Sequence, residues 1–152
     1  MKLHTSRLNL LGAMVLVACC FGCGNNGSND NGGSTNHGDP ALVGTWTGSE
    51  VDFPPYIWTF VLTAATMDVQ STSGEGYKAA YTTDTSGDPK HISGTITECP
   101  LADFVGKSWS GIYKIEGTTA TIAANVPGDT TFPTAFTPGS THETRVFTLT
   151  KQ

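Results

Sequence analysis

The run Gly111-Ile112-Tyr113-Lys114-Ile115-Glu116-Gly117-Thr118-Thr119-Ala120-Thr121-Ile122-Ala123 decides the fold of this chain. Tyr113 and Ile115 fall on one side of an extended backbone and Lys114 and Glu116 on the other, the period of two that marks a half-buried strand. The pattern restarts after Glu116-Gly117. Glycine tolerates the positive φ that a tight turn between antiparallel strands demands, so the segment reads as a β-hairpin.

Outward from this hairpin the same texture continues in both directions. Short alternating runs are separated by Gly, Pro and Asp turns, and no stretch shows helical apolar spacing. About eight strands are predicted, near 42–50, 56–64, 66–71, 77–83, 91–98, 109–116, 118–124 and 144–151. Parity assigns their faces. Leu42, Gly44, Trp46 and Gly48 share a side of the first strand, and Tyr56, Trp58, Phe60 and Leu62 a side of the second. Tyr77 with Tyr81, Ile92 with Ile96, and Phe147 with Leu149 repeat the pattern. Strands with one apolar face either stack as a sandwich or close as a barrel, and closure removes the exposed edges that invite aggregation.

Arg145 bears on that choice. It shares a face with Phe147 and Leu149, and a charge on the apolar face of a last strand needs a partner. If the sheet closes, Trp46 on the first strand is adjacent, and a cation–π contact would contribute about 0.5–2 kcal/mol. The alternative is a frayed strand start from which Arg145 reaches solvent. The expected fold is all-β, an antiparallel up-and-down barrel of about eight strands.

Gly44-Thr45-Trp46 near the start of the first strand, with an arginine on the last, resembles the signature of lipocalin-like barrels. The stretch from Gly111 to Gly117, then Thr121-Ile122, Pro133-Thr134 with Phe136, and the closing run Val146 to Lys151 is similar to a family of small bacterial lipocalin-like domains. Asp88-Pro89-Lys90 before His91-Ile92 matches that family's central strand. The resemblance spans most of residues 41–152. It implies structural roles for Gly44 and Arg145 and a barrel fold, and it carries no common activity. Two departures stand out: Phe132 occupies the position of the family's arginine, and the hairpin turn Gly117-Thr118 lacks the usual aspartate.

The first forty residues have a different character. Lys2 and Arg7 precede an apolar run from Leu8 to Ala18, interrupted by Asn9 and Gly12. That run is shorter than the roughly 20 apolar residues that span a bilayer and fits a signal-peptide core. Leu16-Val17-Ala18-Cys19 has the form a lipoprotein signal peptidase requires: an apolar anchor, a small residue, then the cysteine that is acylated. Ordinary secretory cleavage after Ala18 is the rival reading, and Cys23 is a poorer lipidation site because Phe21 precedes Gly22. Residues 1–18 are therefore expected to be a lipoprotein signal peptide, with Cys19 as the lipidation site. Cys20 is not the aspartate that retains such proteins at an inner membrane, so in a host with two membranes an outer-membrane location is expected, facing the periplasm or the cell surface. Gly24 to Asp39 holds no apolar side chain and reads as a tether, giving residues 19–40 as lipidated cysteine plus tether and 41–152 as the barrel domain.

All thirteen Asp and Glu lie after Cys19, against six of the eight Lys and Arg, so the exported chain carries about −7. Without a basic stripe, a nucleic-acid partner and electrostatic docking on anionic lipid are disfavoured. Cys99 is the lone cysteine of the domain, which argues against a disulfide framework, although pairing with Cys20 or Cys23 stays open.

Catalytic signals are sparse. His91 and His142 have no His or Cys at metal-ligand spacing, and no metal or other cofactor is expected. His91, Ser108 or Ser110, and Asp103 compose a hydrolytic set without a nucleophile-elbow pattern. Asp84 and Asp88 flank a turn where a solvated loop is the simpler reading than calcium. The chain is expected to be non-enzymatic.

Two binding readings remain. In one, Trp46, Tyr56, Trp58, Phe60, Tyr77, Tyr81 and Tyr113 line a barrel interior that holds a small apolar ligand. An eight-stranded barrel is only wide enough for its own side chains or one small guest, so the same residues also suit a packed core. In the other, the module binds an envelope protein or a glycan, such as an exported hydrolase that it restrains. Pro127 to His142, stiffened by three prolines and bearing Phe132 and Phe136, is the expected surface unless it folds over a barrel mouth.

Overall fold

The computed structural model describes residues 37–140 and 143–152. Cys19, the expected signal segment 1–18, the tether up to residue 36, and His142 lie outside the described residues. The strands are β1 (Gly44–Glu50), β2 (Ile57–Leu62), β3 (Thr66–Ser71), β4 (Gly76–Asp84), β5 (Lys90–Glu98), β6 (Ser108–Glu116), β7 (Thr119–Ala124) and β8 (Arg145–Lys151). Each boundary falls within two residues of its sequence-based position. One short 3-10 turn, Ala102–Phe104, interrupts the β5–β6 connection.

Consecutive strands pair antiparallel, and β8 returns to β1 to close an up-and-down barrel. The hairpin that set the reading is present: Glu116 pairs with Thr119 across Gly117-Thr118, and Gly117 takes a φ of 61°. Gly117 thus supplies the positive φ of a two-residue hairpin turn. Closure itself depends on Gly48. A Cβ there would overlap the backbone of Thr148 and Leu149, so only glycine lets β1 and β8 approach so closely. Gly44 has a different constraint, a φ of 133° that strains any L side chain.

Parity places one side chain of each pair inside. Trp46, Trp58, Phe60, Tyr81, Ile92, Tyr113 and Leu149 form the centre of one continuous core, and none is more than 2% exposed. Phe147 meets Trp58 and Phe60 edge-on, with ring centroids 5.3 and 5.2 Å apart. Such contacts add about 0.5–1.5 kcal/mol beyond the area they bury.

A second, smaller cluster sits on the outside of the barrel. Ile112, Ala123 and Val146 point outward from β6, β7 and β8, and Phe136 of the long β7–β8 loop covers them. Asn125 fastens that loop: its amide donates to the Thr131 carbonyl at 2.8 Å and its oxygen accepts from the Thr144 hydroxyl at 2.6 Å.

The barrel has two unlike rims. The entry rim, where the chain arrives, carries the β2–β3, β4–β5 and β6–β7 turns. The opposite rim carries the β3–β4 turn and the longer β1–β2, β5–β6 and β7–β8 connections.

Candidate functional site

At the entry rim, the described end of the expected tether is held to the barrel. The Gly38 amide donates to the Ala64 carbonyl at 2.7 Å, and Leu42 is fully buried. Asp39 is the keystone. Its carboxylate accepts from the Lys90 ammonium and the Tyr113 hydroxyl, each at 2.9 Å, and from the Ala41 amide at 2.9 Å. Burial opposes ionisation of Asp39, but these donors outweigh it and hold the pKa below the ordinary 3.8. The same contact with Asp39, added to burial, raises the pKa of Tyr113. Tyr81 closes the neighbouring turn by donating to the Thr63 carbonyl at 2.7 Å, and burial pushes its hydroxyl up to about 12. Asp39, from the expected tether, and Leu42 thus both pack against the barrel at this rim.

Trp46 belongs to this rim as well. Its indole N–H donates to the Leu42 carbonyl at 2.7 Å, and the Lys151 ammonium lies 5.1 Å from its ring. The expected guanidinium on Trp46 is thus a lysine instead. Antiparallel closure pairs Trp46 with Lys151 at the end of β8, which sends Arg145 to the far rim.

There Arg145 does meet an indole, that of Trp58, with its guanidinium carbon 4.7 Å from the ring and 5.4 Å from that of Phe147. Its partner is Glu50, which accepts from Nε at 2.8 Å and from a terminal nitrogen at 2.5 Å. Burial of Arg145 is outweighed by this fork, so its pKa rises. Glu50 is only 4% exposed, although it shares the inward parity of Trp46 and Gly48 and was therefore legible as an inward acid. Tyr77 lies nearby, and burial pushes its hydroxyl up to about 12 against the pull of Arg145.

Above this pair opens a cleft of about 870 Å³. Three connections build it: the β1–β2 loop with Asp52, Phe53 and Tyr56, the β3–β4 turn with Glu75, and the end of the β7–β8 loop with Pro138 and Glu143. Phe53 and Tyr56 are 56% and 44% exposed, far above what their apolar area favours. The intervening Pro54-Pro55 fixes two φ angles of the loop that presents them. Glu143 is a non-glycine residue at positive φ, 45°, beside the same cleft. Glu75 reaches Arg145 at 3.5 Å, a marginal contact.

The residues expected to line an internal pocket divide accordingly. Trp46, Trp58, Phe60, Tyr81 and Tyr113 are buried against one another, and Tyr77 packs on the same core. Tyr56 departs from the set: β2 starts at Ile57, so Tyr56 sits in the loop and faces the cleft. The indole nitrogens of Trp58 and Trp109 are buried without a hydrogen-bond partner among the described residues. Much of the surface expected at Pro127 to His142 stays exposed among its described residues, Phe132 to 38%. Phe136 covers the outer cluster, and Phe132 stacks on His91 with centroids 4.1 Å apart.

Of the sparse catalytic candidates, His91, Ser108 and Ser110 lie on one face of β5 and β6, and Asp103 is in the 3-10 turn. His91 stacks on Phe132, Ser108 shares a hydrogen bond with Thr95 at 3.1 Å, and Ser110 is buried on β6. Asp84 caps its own turn by accepting from the Ser86 amide and hydroxyl, which lowers its pKa. Among the described residues no three His, Cys, Asp or Glu side chains gather as a metal site. No protein-family model, curated protein or solved structure matches this chain.

Proposed function

We propose that this chain is a lipid-anchored envelope lipoprotein of the lipocalin-like kind, non-enzymatic, whose barrel is a rigid scaffold for binding a protein partner at its cleft rim. The observation that carries the reading is the contrast between a core filled by its own aromatic side chains and an open cleft edged by exposed Phe53 and Tyr56. A small apolar guest inside the barrel would have to displace these mutually buried side chains, which costs several kcal/mol before any contact is gained.

Polarity of the molecule supports the same reading. The described chain enters the barrel at the entry rim, and the cleft lies at the opposite rim. Exposed aromatic residues on a stiffened loop suit protein recognition, because little side-chain freedom is lost on binding.

The test has two arms in the native host. Replacing Cys19 with Ser is expected to move the protein out of the membrane fraction and abolish labelling by radioactive palmitate. A photo-crosslinking phenylalanine analogue at Phe53 is expected to give discrete adducts, while the same analogue at Val61, on the outer face of β2, gives none. Adducts at neither position, together with quenching of Trp fluorescence by a fatty-acid probe, would favour the internal-ligand reading instead.

A further inference from the structure

We infer that the cleft takes a basic polypeptide segment, with arginine or lysine side chains set against Phe53 and Tyr56; this rests on the cleft being the binding surface. The argument is one of charge. Glu50, Asp52, Glu75 and Glu143 line the cleft, and Arg145 is the one Lys or Arg lining it among the described residues. Arg145 is already spent on the buried Glu50 carboxylate through two hydrogen bonds. Asp52 and Glu143 make no side-chain ion pair or hydrogen bond among the described residues, and Glu75 has only the 3.5 Å contact. An excess of about three negative charges therefore faces the solvent-filled space.

The arrangement narrows the class of ligand. The carboxylates come from three separate connections and do not converge as a metal site, so they suit several positive groups spread along a segment better than one divalent ion. A polyamine would satisfy the carboxylates and leave Phe53 and Tyr56 without an apolar partner. An arginine side chain satisfies both, because its guanidinium forks onto carboxylates and its plane stacks on aromatic rings. The cleft volume of about 870 Å³ accommodates a few such side chains.

Fluorescence anisotropy on the full chain in detergent micelles tests this directly. The probe is a fluorescein-labelled heptapeptide with two arginines and one tryptophan, compared with the same peptide carrying citrulline in place of arginine. The arginine peptide is expected to bind about tenfold more tightly, and the advantage should shrink as salt rises. Asp52→Asn combined with Glu75→Gln should remove most of that advantage, and an unchanged thermal melt of the variant shows that folding is intact. Equal binding of the two peptides, or an unchanged advantage in the double variant, overturns the inference, as does spermine displacing the peptide at equal concentration. If neither peptide binds while Phe53 still forms adducts in cells, the basic partner is rejected and the cleft survives as the docking site. If the adducts are also absent, the cleft itself is rejected.

Discussion

Asp39 at the entry rim and Glu50 at the cleft rim are both buried carboxylates, each paired with a single cation. Around Asp39 a lysine, a tyrosine hydroxyl and a backbone amide take three of its roughly four acceptor sites, and the rim is sealed by Leu42 and Trp46. Around Glu50 a single arginine does the same work, and further acids, Asp52, Glu75 and Glu143, stand over the pair. Asp39 itself is electrostatically satisfied. Among the described residues the cleft rim keeps unpaired charge beside the exposed rings of Phe53 and Tyr56. The difference teaches that burial of a charge does not mark a site; an unbalanced surplus beside it does.

The comparison breaks most severely if the Glu50–Arg145 fork is cut. Arg145→Met should destabilise the barrel by about 4 kcal/mol, since Glu50 is then a buried charge without a partner. Arg145→Met with Glu50→Leu should recover much of that loss in urea unfolding. Recovery would show that the pair serves the fold no better than apolar packing does.

At the other rim, Asp39→Ala should cost about 3 kcal/mol, the range for charge-assisted hydrogen bonds at a partly buried acid. The pH dependence sharpens this. Asp39 is more acidic in the folded protein than its ordinary 3.8, so its contribution is complete above that value and is lost as pH falls through the lowered one. Asp39→Asn should flatten this acid limb of the stability profile. Tyr77 and Tyr81 act in the opposite sense: raised from 10.0 to about 12, they lend stability that is complete below pH 10 and disappears as pH rises through about 12.

The smallest contrast lies between two tryptophans. Trp46 donates to the Leu42 carbonyl, whereas the buried Trp58 nitrogen has no partner among the described residues. Trp46→Phe should therefore cost about 1–2 kcal/mol more than Trp58→Phe, and calorimetric melting of both variants measures it. Equal costs would mean that the Leu42 contact contributes little to sealing the entry rim.

Some of this architecture was legible from residue patterns. Strand positions followed from alternation, since a half-buried sheet forces apolar residues onto every second position, and Gly117 marked the hairpin because few residues tolerate its φ. Glu50 continues the inward parity of Trp46 and Gly48, but the partner expected for Arg145 from residue patterns was Trp46, and this acid was passed over. What parity could not provide was registry: which residue of β8 meets which of β1 depends on closure, so Lys151 rather than Arg145 came to Trp46. The cleft was illegible for a related reason. Asp52, Phe53, Glu75 and Glu143 belong to three loops remote in sequence, and loop residues carry no periodicity that reveals their neighbours.

By itself, then, the chain determined that it forms short antiparallel strands with one apolar face, because backbone geometry makes side chains alternate whatever the surroundings. Only the tertiary structure decided that the aromatic residues pack as a core and that the surplus acids meet above Arg145. Those outcomes depend on the shear at which the sheet closes on itself, and no local interaction encodes it.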